Sequence, residues 1–199
     1  MKKKSIIIIA IVAVILILVV GMVGSYNKMV TAEENVSQSW SQVENVYKRR
    51  ADLIPQLVAT VQGAANFEKG TLNEVVEARA KATAVQINAE NLTEAKVAEF
   101  QKAQDNLTGA LSRGMNVVVE RYPELTATQG FRDLQTQLEG TENRIATERG
   151  RFNEATGAFN KLVRRFPNNI IAGMFGFEKK GYFTAPEGSD EPVQVEFGF

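Results

Sequence analysis

The chain opens on an unbroken apolar run and then changes to helical alternation. Ile6 to Gly24 is nineteen residues without a charged, amide or hydroxyl side chain. At about 1.5 Å per residue this makes a helix of roughly 29 Å, close to the thickness of a bilayer's hydrocarbon core. Ile6–Val20 has no polar face, which argues against a helix packed on a soluble core. Beyond it, Val30, Val36, Trp40, Val43, Tyr47, Ile54, Leu57 and Val61 recur at helical spacing. No Gly- or Pro-rich linker separates the two patterns, so the lipid helix is expected to run straight into a first bundle helix. Pro55 interrupts the stripe and predicts a kink or the start of a short new helix. Trp40 lies on the stripe and reads as core rather than as a ligand-stacking residue.

Three more helices follow. Gly63, Asn66 and Gly70 mark a turn, and Thr71 is a candidate cap for a helix through Leu72, Val75, Val76 and Val85. Residues 87–92 form a second connection, with Thr93 as N-cap of a helix carrying Val97, Phe100, Leu107, Leu111 and Val118. That helix ends at Tyr122-Pro123, and Thr126 or Thr128 starts the next. In the fourth, Phe131, Leu134, Leu138, Thr141, Ile145, Glu148, Phe152, Ala155, Phe159 and Leu162 step by three and four across 32 residues. Such a seam needs partner helices, and Glu148 on it needs a basic or polar partner if buried. The expected fold class is all-α: an N-terminal transmembrane helix followed by an elongated antiparallel four-helix bundle.

Charge sets the expected orientation. Lys2, Lys3 and Lys4 precede the apolar run, whereas the twenty residues after it hold only Lys28, with Glu33, Glu34 and Glu44. The positive-inside bias then keeps residues 1–5 in the cytoplasm and the bulk outside, as a single-pass protein of the cell membrane. A cleaved signal peptide fits less well, because the apolar core exceeds the roughly 7–15 residues usual for one and lacks a small-x-small site. A pilin-like subunit would carry an acidic residue early in the run and a short leader ending in Gly. The expected organisation is a span over 6–24, a bundle over 25–165, a return segment over 166–183 and a disordered tail over 184–199.

Without the three lysines the chain has 20 basic against 23 acidic residues, which argues against a nucleic-acid partner. It has no cysteine and no histidine, hence no thiol nucleophile, imidazole base or usual zinc site. Arg49-Arg50-Ala51-Asp52 and Glu139-Gly140-Thr141-Glu142-Asn143-Arg144 put acids and bases on adjacent faces. They read as interhelical ion pairs that set register. The alternative is a carboxylate-based or metal-dependent hydrolase built on Glu44, Glu142 and Glu148. Three glycosylation sequons, at Asn35, Asn91 and Asn106, fall in or beside helices and carry no weight.

Several of these stretches resemble the LemA family of bacterial membrane proteins. They are Trp40-Ser41-Gln42-Val43-Glu44-Asn45, Arg49 to Pro55 (RRADLIP), Tyr122-Pro123-Glu124-Leu125 and Leu138 to Ala146 (LEGTENRIA). Phe152-Asn153-Glu154-Ala155, Phe166-Pro167-Asn168, Ala172 to Phe177 (AGMFGF) and Tyr182-Phe183 complete the set, in order, over nearly the whole chain. Gln56, where the family has asparagine, and the less basic Thr147-Glu148-Arg149-Gly150 are small departures; Gly150 is expected to loosen the fourth helix locally. The resemblance implies one N-terminal membrane helix and a long antiparallel bundle. It transfers no catalytic residue, metal or cofactor, because the family motif contains none.

If the fourth helix returns to the membrane, its end and the residues after it reach the lipid surface. Tyr26, Lys28, Arg164, Arg165, Ile171, Phe175, Phe177 and Lys179 are the candidate interfacial residues, apolar groups flanked by bases. Val195, Phe197 and Phe199 alternate at the C-terminus, where an extended end could add to a partner's sheet edge. The expected function is that of a membrane-anchored, non-enzymatic interaction or scaffolding module of the envelope. Its partners would be the bilayer, envelope proteins and copies of itself, contacted through apolar residues exposed on the first and fourth helices.

Overall fold

The computed structural model describes residues 3–63, 70 and 72–185. Asn66, Thr71 and the C-terminal Val195, Phe197 and Phe199 lie outside the described residues. All regular structure among the described residues is helical, in the order α1 (Lys3–Gln62), α2 (Asn73–Ala84), a 3-10 turn (Ala89–Asn91), α3 (Glu94–Arg121), α4 (Pro123–Thr126), α5 (Gln129–Arg164) and α6 (Asn168–Phe175).

The first helix joins the two sequence patterns without a break, over 60 residues. Its apolar side chains from Ile6 to Val20 all face outward, while Met29, Val36, Trp40, Val43, Tyr47, Ile54, Leu57 and Val61 are buried. The change from an all-round apolar surface to a single stripe comes without a change in backbone. On its polar side the hydroxyls of Thr31, Ser39 and Ser41 each bond to the carbonyl four residues earlier, which satisfies them within the helix. Among the described residues α1 is the one helix long and apolar enough to cross a membrane.

Pro55 does not start a new helix. It has no N–H for the Ala51 carbonyl one turn earlier, and a proline in a helix leaves that oxygen free. Arg79 of α2 fills the gap, its Nε donating to Ala51 O at 2.7 Å. The proline thus creates an acceptor on α1 that fixes where α2 docks.

The starts of α3 and α5 follow the expected caps. Thr93 accepts from Lys96 N, and Thr128 rather than Thr126 caps α5 by accepting from Phe131 N. For α2 the N-cap is Leu72, which has no side-chain cap bond. Glu74 pairs with Arg113, and Gln104 Nε2 donates to Ala82 O at 3.3 Å, so α2 and α3 run antiparallel. α5 runs back along α1, with Glu142 against Arg50 and Phe152 against Trp40, and continues unbroken through Gly150.

On α5 the buried stripe keeps Phe131, Leu134, Thr141, Ile145, Phe152 and Phe159 and takes in Thr156, Asn160 and Val163, leaving Leu138, Glu148, Ala155 and Leu162 half-buried. A three-and-four pattern averages 3.5 residues per turn and drifts around a helix of 3.6. The core divides into two apolar clusters. One, toward the apolar run, holds Met29, Trp40, Tyr47, Phe100, Phe152 and Phe159; the far one holds Ile54, Leu57, Val61, Leu107 and Phe131.

Arg79→Met should destabilise the natural chain by about 1–2 kcal/mol, the penalty for an unpaired, partly buried carbonyl. In a Pro55→Ala background the restored N–H satisfies Ala51 O, so the same substitution should have a clearly smaller effect. Equal losses in both backgrounds, measured by thermal unfolding in detergent, would contradict the account.

Candidate functional site

Between the two apolar clusters lies a polar layer built on Arg50, which is 2% exposed. Its Nη1 donates to Thr108 Oγ1 at 2.7 Å and to Glu142 Oε2 at 3.0 Å. Its Nη2 donates to Gln104 O at 3.1 Å and to Gln104 Oε1 at 2.8 Å. The guanidinium sits 5.0 Å from the centre of the Tyr47 ring. One side chain thereby ties α1 to α3 and α5. A planar fork of donors suits this task in a way a lysine ammonium does not. Burial raises the Tyr47 phenol above its ordinary pKa, opposed by the nearby cations Arg149 and Arg50, so it stays neutral near pH 7.

The ion-pair reading of the two charged motifs is met at Arg50 and Glu142. Glu148 bonds Arg151 at 2.8 Å, and Asp105 lies 3.6 Å from Arg149. Glu44 is exposed on α1; partial burial raises its carboxyl, and the Trp40 indole one turn back lowers it. Two of the three acids singled out for a hydrolase therefore face arginines. Replacing Arg50 with leucine should lower stability by about 3 kcal/mol, because it strips a partner from buried Gln104 as well as from half-buried Thr108 and from Glu142. Arg49→Leu, at an exposed position, should stay within about 0.5 kcal/mol. Equal melting temperatures for the two variants would contradict the role given to Arg50.

The second concentration of features is where α5 returns to the start of the bundle. The Tyr26 ring lies 4.9 Å from that of Phe175 and 5.7 Å from that of Phe177. Met22, inside the apolar run, is partly buried against the cluster that contains Ile171 and Ala172. Of the eight candidate interfacial residues, Tyr26, Lys28, Arg164, Arg165, Phe175 and Lys179 are exposed and Phe177 is half-buried; Ile171 is buried. The exposed apolar surface is not where a partner face was expected. On α1 beyond the run only Tyr26 and Val30 appear among the exposed large apolar residues, and none appears on α5, whereas Phe166, Ile170, Met174 and Phe175 do.

The return segment divides at Gly176, whose φ of 77° ends α6. From there the chain turns back along the bundle as an extended strap. Asn160 donates to Lys180 O at 2.8 Å and accepts from Lys180 N at 2.9 Å. Asn153 does the same for Phe183 at 2.8 and 2.9 Å, and Gln101 of α3 for Thr184 at 3.0 Å on both sides. The three amides stand in for a neighbouring strand, each offering a carbonyl and an N–H to one residue's backbone. Phe183 stacks on Trp40 with ring centres 6.0 Å apart, and buried Lys180 meets Glu33 at 2.7 Å. Thr184, assigned from sequence to the tail, belongs to this docked strap because Gln101 binds its backbone.

Sequence reasoning missed the amides. Their signal was two asparagines seven residues apart, each directly after a seam phenylalanine of a long helix, where asparagine is a poor helix former. At Gly181 a Cβ would lie 2.6 Å from Glu94 Cα, a backbone atom with no room to move. Gly181→Ala should therefore loosen the strap. Amides of Lys180, Phe183 and Thr184 should exchange hydrogen faster while those of α1 and α5 keep their protection; unchanged protection at all three would refute this docking.

The chain is 25% identical over 187 residues to magnetosome protein MamQ 2 of Paramagnetospirillum magneticum, covering 84% of this chain and 68% of that one. It is 24% identical to magnetosome protein MamQ of Magnetospirillum gryphiswaldense, with the same coverage. It is 23% identical over 165 residues to protein LemA of Metamycoplasma hominis, covering 83% and 71% of the two chains. Residues 39–197, which include the Arg50 layer, α5 and the strap, match the LemA family throughout, and the chain belongs to that family.

Proposed function

We propose that this protein is a membrane-anchored, non-enzymatic scaffold of the bacterial envelope. In this reading α1 crosses the cell membrane once, with the short N-terminus in the cytoplasm. The later part of α1 stands outside with α2, α3 and α5 as an elongated antiparallel four-helix bundle that binds envelope proteins or other copies of the chain. The observation that carries the reading is the continuity of α1. A scaffold held by a floppy tether would sample all orientations; one whose core helix is also its anchor presents the same faces at a fixed height above the bilayer. Confinement to the membrane plane raises the effective concentration of any partner anchored in the same way.

The excess of lysine before the apolar run supports the orientation, and the ion-paired acids of the polar layer support a structural role for the charged motifs. Crosslinking of the full-length protein in native membranes, followed by capture, tests the scaffold. Specific envelope proteins or self-crosslinks should be recovered with the intact chain and lost when residues 6–24 are deleted. Recovery of neither would contradict the proposal.

A further inference from the structure

We propose that α6 is an interfacial helix, seated in the headgroup layer of the bilayer that α1 crosses, with anionic phospholipid as its ligand. The inference rests on the reading of α1 as a membrane span and adds a second, separate contact. Three observations converge on it.

The first is height. Tyr26, against which Phe175 and Phe177 pack, is two residues beyond Gly24, about 3 Å along a helix. Met22, which shares a cluster with Ile171 and Ala172, lies inside the apolar run itself. A span that places Gly24 at the edge of the hydrocarbon leaves α6 beside the headgroups. The second is composition. α6 buries Ile171 and Ala172 against the bundle, yet Ile170 is 56% and Met174 64% exposed, with Phe166 just before the helix at 76%. A segment that merely closed the end of a bundle would turn its largest apolar side chains inward. Here they form the outer face of a helix that begins where the lipid span ends, and that continuity identifies the occupant.

The third is charge. The register that sets Glu142 against Arg50 and Phe152 against Trp40 continues to bring Arg164 and Arg165 level with Lys28 and Asn27. All three basic residues are exposed, at one level, beside the apolar face. Of the nearby acids Glu33 pairs with Lys180, and the exposed Glu34 and Glu178 are outnumbered by the exposed bases Lys28, Arg164, Arg165 and Lys179. Bases beside a shallow apolar face are the arrangement that holds phosphate headgroups while side chains enter the acyl boundary.

The absence of cysteine makes the test direct. Single substitutions Met174→Cys, Leu16→Cys and Val119→Cys in the full-length chain are labelled with an environment-sensitive fluorophore. The labelled proteins are reconstituted into nanodiscs of phosphatidylglycerol or phosphatidylcholine carrying a spin-labelled lipid quencher. The label at 174 should be quenched by the lipid and shielded several-fold from aqueous iodide in phosphatidylglycerol, and less so in phosphatidylcholine. The label at 119, on the far half of α3, should stay open to iodide. Adding Arg164→Gln and Arg165→Gln should remove the difference between the two lipids. Quenching at 16 with none at 174 would overturn the inference and leave the anchor standing. No quenching at 16 would overturn the anchor reading itself. Equal quenching at 174 in both lipids, insensitive to the arginine changes, would overturn the anionic-lipid assignment.

Discussion

One helix has to satisfy two solvents. Its first part needs an apolar surface on every side, because lipid surrounds it and every backbone polar group must be paired within the helix. Its second part needs one apolar stripe and a water-compatible back. α1 meets both demands with no change of backbone, and the rest of the fold is arranged around the stripe. α5 runs along it in the opposite sense, α2 docks at the carbonyl that Pro55 frees, and α3 is tied on through Arg50. Because the core helix and the anchor are the same object, packing in the bundle and position in the membrane are coupled.

The polar groups inside the bundle give it registry. Apolar seams of leucine, valine and phenylalanine tolerate sliding by a turn at modest loss, whereas a buried guanidinium with four acceptors on two other helices does not. The amides of Gln101, Asn153 and Asn160 act in the same way on the strap. They bind its backbone, so the choice of residue there is set by Gly181, which has no room for a side chain, and by Phe183, which fills the aromatic cluster around Trp40. A chain without histidine or cysteine spends its buried hydrogen-bonding capacity on position.

Much of this was legible in the residues. The apolar run, the four long helical patterns, the cap at Thr93, a start at Thr126 or Thr128 for the last long helix, and the ion-pairing of the RRAD and EGTENR motifs follow from periodicity, charge and rules for helix ends. What was not legible depends on contacts between distant parts of the chain. Pro55 reads locally as a breaker, and only the position of Arg79 on another helix shows how its lost hydrogen bond is replaced. The strap has no periodic signal, since its partners are side-chain amides rather than a second strand. Ile171 and Ile170 are adjacent and chemically alike; their opposite fates depend on how α6 meets α1 and α5.

The anchor and the core helix of the bundle are one rigid helix, and a distance measured across their junction is the test of it. Spin labels at Leu16→Cys and Glu34→Cys, eighteen residues apart, report that distance by pulsed electron resonance in nanodiscs. A continuous helix places the two positions five turns apart on one face, at about 27 Å with a narrow distribution. A broad distribution, or a shorter mean, would show a hinge near Gly21 or Gly24 and would contradict the coupling of bundle to membrane on which the account rests.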